Sequence, residues 1–418
     1  MRFGAEHSAP FLLCLVISPT STSERIVITC SSSLTKFELH LEFFIKEYKV
    51  TVTIDNGVDV IDISIGNPDG ATPEPVVKVA LEAISNPINH GYPNFRGKPE
   101  LRQAISDWMK KRYDVEINPE TEVQTLIGEK EGLANIALAY TNPGDINIIP
   151  DPYYPVLCRG TLIAGGKPFF VNLQEENKSL IDLNDIPEDV AKQAKMFFIN
   201  YPNNPTGAIA PKEFLQDVVQ FCKQYNILLI SDLAYGEVCF GDYRPYSIFN
   251  IDGAKEVAME FHSFTKTFNM AGWRCGFAVG KEEFISNLYA MKSNVDYGTS
   301  TIVQDACIEA LSMPMKYVKG IMDIYHERRE VMAKGFTDLG FYAPRSDATM
   351  YFWIKIPPKF KTSMEFTKYV LDKTGVIVTP GSAFGNLSDD HFRVSLVQSN
   401  ERIKEVFKRF NEAGIRYE

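Results

Sequence analysis

Nowhere in the 418 residues do apolar side chains run for the ~18 positions that a membrane-spanning helix needs, so the lipid bilayer is not an expected partner. Clusters of basic residues are missing too. The net charge is -10, which argues against a nucleic-acid or anionic-membrane surface and in favour of small-molecule chemistry. The seven cysteines (Cys14, Cys30, Cys158, Cys222, Cys239, Cys275 and Cys307) are odd in number and scattered, with no C-x-x-C pair. That pattern offers neither a disulfide framework nor a metal site. It suits small apolar fillers in a reducing, cytoplasmic compartment. Internal repeats and low-complexity segments are also lacking. The apolar run Pro10–Ile17 follows a single basic residue, Arg2, and no small-residue cleavage site comes after it, so residues 1–40 read as an uncharacterised N-terminal extension rather than a signal peptide.

What is present is an abundant core: 45% of the residues are hydrophobic, in a chain too long for one unit of ~100–200 residues. From about Asp59, short β-branched or aromatic runs alternate with longer amphipathic ones, the pattern of an α/β protein with a largely parallel sheet. The expected strands are Val123–Ile127, Ile146–Ile149, Lys167–Val171, Met196–Ile199, Ile227–Ile230, Ala258–Phe261 and Gly276–Val279. Between two of them, Leu215, Val218, Val219 and Cys222 give the stretch Pro211–Tyr225 a single apolar helical face, with Pro211 suited to its first turn. Beyond Thr299 the helices lengthen (Val303–Leu311, Lys316–Gly335) and strand-like runs return at Met350–Ile356 and Val376–Thr379. The expected organisation is a large domain at 76–299 and a smaller α+β domain built from 41–75 and 300–418.

Open parallel sheets bind ligands at the carboxyl ends of their strands, so polar residues just after apolar runs are the first candidates. Asp232 closes the run Ile227–Ile230. A lone buried charge there is costly, and its partner is a helix end, an arginine or a protonated heterocyclic nitrogen. Tyr235 follows three residues later. Lys266 lies between two strand-like runs, with Ser263 before it and Arg274 after it. A lysine is usually solvated, but one that is buried near other cations becomes a neutral amine able to attack carbonyls. Ser263 and Arg274 suit a dianion such as a phosphoryl group, and Gly272 and Gly276 permit close backbone approach.

The Ser263-x-x-Lys266…Arg274 spacing, the Asn204-Pro-Thr-Gly207 turn and the Asp232-x-x-Tyr235 pair together resemble the class I/II aminotransferases of pyridoxal phosphate (PLP) fold type I. Phrases such as Ile65-Gly-Asn-Pro-Asp69, Gly91–Gly97 and Asp151-Pro-Tyr-Tyr-Pro155 look closest to the LL-diaminopimelate aminotransferase-like branch. The resemblance implies a mostly parallel seven-stranded sheet flanked by helices, with PLP held by Lys266 as a Schiff base. It makes Asp232 the partner of the pyridine nitrogen, Asn204 and Tyr235 the pair on the phenolic oxygen, and Tyr154 the aromatic stacked on the ring. The phosphate falls to Ser263, Arg274 and the backbone of Glu129 and Lys130, a placement that Gly128 before an amphipathic helix supports independently. Tyr92 matches a tyrosine reaching the phosphate of a second subunit, which implies a homodimer with shared sites. Arg393 matches the clamp on the substrate carboxylate, and Gly66 and Asn204 line the same pocket. Glu129 departs from the small residue common at its position.

The resemblance thus implies an amino-group transfer between an L-amino acid and a 2-oxo acid, with LL-diaminopimelate or a related amino acid as donor. A carbon–sulfur β-lyase uses the same fold and lysine. A non-enzymatic regulator would need a basic DNA-binding segment that residues 1–40 do not supply. The stretch Lys292–Gly298 is expected to approach the distal part of the substrate pocket.

Overall fold

The computed structural model describes residues 57–418. The extension 1–40 with its apolar run Pro10–Ile17, residues 41–56 of the expected small domain, and Cys14 and Cys30 lie outside the described residues. Among those described, no helix is long and apolar enough to cross a membrane.

All seven expected strands form and join one sheet: β1 (Val123–Leu126), β2 (Ile146–Asp151), β3 (Lys167–Asn172), β4 (Ala194–Asn200), β5 (Leu228–Asp232), β6 (Ala258–Ser263) and β7 (Gly276–Gly280). Their order is β1-β7-β6-β5-β4-β2-β3. Every neighbouring pair is parallel except the two made by β7. Alternate residues of β4 and β5 serve opposite cores. Met196, Phe198, Leu228 and Ile230 pack on one face, Phe197, Ile199 and Leu229 on the other. Helices cover both faces, which is why these strands read as continuous apolar runs rather than alternating ones.

Helix α1 (Glu129–Tyr140) follows β1, and α2 (Lys212–Tyr225) buries the expected Leu215, Val218, Val219 and Cys222. Pro211 is the N-cap of α2 rather than part of its first turn, with an extended ψ of 158°. Next come α3 (Glu282–Lys292), α4 (Thr301–Ser312) and α5 (Lys316–Asp338). A second, antiparallel sheet has the order β9-β10-β8, made from β8 (Tyr351–Lys355), β9 (Thr379–Pro380) and β10 (His391–Ser395).

One segment ties the site to this second sheet. Ile61–Asp62 pairs in parallel with Val376–Ile377, the Ser395 amide donates to the Ile63 carbonyl at 2.8 Å, and the Thr379 hydroxyl donates to that of Ser64 at 2.8 Å. The chain leaving this pairing places Gly66 beside Lys266.

Candidate active site

Lys266 sits on a one-turn helix, Phe264–Thr267, that follows the carboxyl end of β6 and is capped by the Ser263 hydroxyl, which accepts from the Thr265 amide at 3.3 Å. Its ammonium donates to the carbonyl of Gly66 and lies 6.0 Å from the Tyr235 ring centre. No carboxylate pairs with it among the described residues. Burial lowers its pKa, and the charges of Arg393 and Arg274 push the same way, against Tyr351 and Glu129. The result is an amine biased toward its nucleophilic form.

Asp232 ends β5 at 3% exposure, with one oxygen accepting from the Ala234 amide at 3.1 Å. Burial raises its pKa, and among the described residues no arginine forms an ion pair with it. Facing it is Glu129, 6% exposed, whose carboxyl is pushed well up first by burial and then by the Asp232 charge. Two buried carboxyls facing each other disfavour a second negative charge, which pushes the Glu129 carboxyl toward its protonated form. The other Glu129 oxygen, Oε1, is buried without a hydrogen-bond partner. Tyr154 faces this acid pair: burial and then the charge of Asp232 raise its pKa. Its neighbour Tyr153 packs on Phe170 instead, ring centres 5.3 Å apart. The adjacent tyrosines therefore divide into one site residue and one core residue.

At the start of α1, Gly128 has φ +78°, and a Cβ there would collide with the Arg274 guanidinium. Lys130 has its pKa lowered by burial and by Arg159 and Arg274, so three cations converge on one helix N-terminus. That is an anion site by both charge and dipole. Arg159 was not anticipated, although a cation among Val156, Leu157 and Cys158 on an otherwise apolar helix was a usable signal. Gly276 does bring backbone close, since a Cβ there would lie 2.7 Å from the Glu129 nitrogen. Around Gly272 the Cβ position has open space, with no described residue within 4 Å beyond its chain neighbours.

Arg393, on β10 and 7% exposed, donates to Asn204 Oδ1 at 2.8 Å and to the Ser64 carbonyl at 2.5 Å. Its Nε is buried and unpartnered. Asn204 itself is held by Asn200, whose side-chain oxygen accepts from the Asn204 amide at 2.8 Å while its NH₂ donates to the Asp232 carbonyl at 2.9 Å. Tyr235 shares a 2.7 Å hydrogen bond with the hydroxyl of Tyr351, another residue not anticipated. Tyr92 does not join this group: it is 82% exposed and stacks on Tyr297, ring centres 4.3 Å apart.

A neutral-leaning amine, a buried acid pair, a cationic helix end and an arginine with an unfilled donor thus meet at the carboxyl ends of β4–β6. Residues 58–410 match the family described as Aminotransferase class I and II. The chain belongs to that family. Among its relatives is the LL-diaminopimelate aminotransferase of Aquifex aeolicus, 49% identical over 356 residues that span 85% of this chain and 92% of the relative. The enzyme of the same name from Halothermothrix orenii is 44% identical, covering 86% and 92% of the two chains. In structure it is similar to substrate-bound BacF of Bacillus subtilis, with TM-score 0.87, 38% identity, and 90% and 96% of the chains covered. A Thermus thermophilus aspartate aminotransferase variant gives TM-score 0.83 at 28% identity, covering 88% and 96%.

This class I and II aminotransferase is accordingly a PLP-dependent transaminase of fold type I, acting on amino acids and 2-oxo acids. The residues present fit the cofactor. A phosphate dianion matches the Lys130, Arg159 and Arg274 cluster, a basic ring nitrogen matches a buried acid pair that forms no salt bridge among the described residues, and an aldehyde matches the Lys266 amine, which no carboxylate there pairs with.

Proposed function

We propose that this enzyme transfers the amino group of LL-diaminopimelate, or of a closely related amino acid, to a 2-oxo acid. It would work in the cytoplasm, as a homodimer with shared active sites. The observation carrying the chemistry is Lys266, a half-buried amine that no carboxylate pairs with among the described residues, aimed by the Gly66 carbonyl. The donor is supported by relatives at 42–49% identity that bear the LL-diaminopimelate aminotransferase name.

When bound, PLP supplies an aldehyde to take up the amino group and a ring that accepts electrons from the α-carbon. Lys266 is assigned to hold that aldehyde in the resting enzyme, with Ser263, Arg274 and the Glu129 and Lys130 amides on the phosphate. Asp232 is assigned to keep a proton at the ring nitrogen, Asn204 and Tyr235 to hold the phenolic oxygen, and Tyr154 to lie against the ring. Lys266 Nζ, when free, would act as general base on the substrate's α-proton and as the acid that delivers that proton again. Arg393, with its unfilled Nε, is assigned to the substrate α-carboxylate, and Gly66 leaves room beside it. Tyr92, exposed on its own chain, is assigned to the phosphate of a partner subunit.

The test is a single-turnover screen of amino acids against the loaded enzyme, following loss of the cofactor's visible absorbance. LL-diaminopimelate is expected to discharge it faster than alanine, aspartate or phenylalanine. A clear preference for another donor overturns the substrate assignment, and pyruvate and ammonia from cystathionine without a 2-oxo acid would make it a lyase.

A further inference from the structure

Three groups drawn from distant parts of the chain converge on Tyr351, the first residue of β8 and 5% exposed. Its hydroxyl lies 2.7 Å from that of Tyr235, and the two rings meet edge to face at 5.5 Å and 71°. The Arg393 guanidinium lies over its ring at 4.2 Å. Gly66 closes on it from the third side, where a Cβ would collide with the phenol oxygen; that same residue's carbonyl receives Lys266. The backbone that aims the ring is strained. Thr349, β-branched and buried, sits at φ +72°, held by its amide donating to the Val238 carbonyl at 2.8 Å and by its hydroxyl accepting from the Tyr351 amide at 3.3 Å. A β-branched residue in the left-handed region is costly and persists only where the surroundings impose it.

We propose that Tyr351 is a positioning residue with two separable actions: its hydroxyl directs the Tyr235 proton toward the cofactor's phenolic oxygen, and its ring face holds Arg393 for the substrate carboxylate. This rests on the roles assigned above to Tyr235 and Arg393. A phenol has one proton to give and can accept another. If Tyr351 donates to Tyr235, the Tyr235 proton is left free to point at the cofactor; burial, with Tyr351 second, keeps Tyr235 protonated across the physiological range. The ring action is a cation–π contact, which needs the aromatic face and not the hydroxyl. The ionisable groups around the phenol are Tyr235, Tyr154, Lys266, Tyr325 and Arg393.

The two actions are separated by Tyr351→Phe, which removes only the hydroxyl, and Tyr351→Leu, which also removes the ring. Both are compared as loaded enzyme with wild type and Tyr235→Phe. The first readout is the pH midpoint at which the bound cofactor's visible absorption titrates. A donor on the phenolic oxygen favours its ionised form, so losing one raises the midpoint. Tyr235→Phe is expected to raise it most, and Tyr351→Phe by about half a pH unit, a roughly threefold change in the equilibrium. The second readout is KM for the amino donor, unchanged within about twofold in Tyr351→Phe but raised about tenfold in Tyr351→Leu. A residue that merely packed would lower thermal stability and leave the midpoint alone. An unmoved midpoint in Tyr351→Phe, with Tyr235→Phe shifted, overturns the hydroxyl's action. Equal KM in Tyr351→Phe and Tyr351→Leu overturns the ring's. If Tyr235→Phe itself leaves the midpoint unmoved, the assignment of Tyr235 falls, and the hydroxyl proposal with it. Should Tyr351→Leu fail to fold, Tyr351→Met, unbranched and apolar, carries the KM comparison.

Discussion

Two lysines turn inward in this protein, Lys292 fully and Lys266 part-way, and their surroundings are opposite. Lys292, at the end of α3 and 1% exposed, reaches Asp296 at 2.6 Å and Glu131 at 3.1 Å. Glu131 also accepts from Asn135 at 2.5 Å and from the Ile127 amide at 3.1 Å, and Asp296 accepts from the Gly298 amide at 2.6 Å. Lys292 thus ties α1 to the loop that carries Tyr297. Lys266 donates to a neutral carbonyl and feels two arginines; Glu129 acts on it from a distance, but among the described residues no carboxylate pairs with it. A buried cation given counter-charges becomes a fixed part of the architecture; one denied them is left with a reactive lone pair. Burial alone does not distinguish a catalytic lysine, but the lack of a carboxylate partner does.

Truncating each lysine tests that contrast, and the larger effect belongs to Lys266. Lys266→Ala is expected to abolish the cofactor's visible absorption and cut turnover by roughly 10⁴-fold or more. Its cofactor-free thermal midpoint should not fall, because no opposite charge is left behind. Normal turnover, or a large loss of stability, would break the contrast from that side.

Lys292→Met should do the reverse. With the ammonium gone, Glu131 and Asp296 are left mostly buried and facing each other, which costs about 3–5 kcal/mol. Denaturant unfolding measures this, and the visible absorption of bound cofactor should persist in whatever fraction folds. A variant as stable as wild type would show that the ion cluster is not structural.

The same contrast explains what could be read from the sequence. Lys266, Asp232, Asn204 and Ser263 each stand at or just beyond the end of an apolar run and Arg274 just before one, so a local pattern marks them, and the central strands β4 and β5 were legible because both their faces are apolar. Lys292 could be seen only as part of a polar stretch: its carboxylate partners include Glu131, 161 positions away. Tyr351 was hidden more completely, since an aromatic inside the run Met350–Ile356 reads as core, and only folding brings it to Tyr235, Gly66 and Arg393. Likewise Asp69, seen as part of a motif, proves to be held by Arg328 through bonds of 2.7 and 2.8 Å across the fold. Strand ends are written locally, whereas pairings between distant segments are not.

The rule extends to carboxylates, with a smaller effect. Unlike Glu131 and Asp296, which share Lys292, Asp151 at the end of β2 has only neutral donors among the described residues: the Ser388 hydroxyl at 3.1 Å, the Leu387 amide at 3.5 Å and the Asn386 amide. Burial pushes its pKa up from 3.8 to about 6. A folded-state pKa above the unfolded one means that the group's contribution to stability is complete below about pH 4 and is lost as pH rises through about 6. Asp151→Asn keeps an oxygen for the Leu387 amide and turns its NH₂ toward Ser388, whose hydroxyl can accept, yet never ionises. It should therefore match wild type at about pH 4 and exceed it by about 2–3 kcal/mol at about pH 7, as read from urea midpoints at the two values. A difference that does not change with pH would mean that Asp151 is stabilised in its ionised form after all, and that a buried charge here can do without a counter-charge.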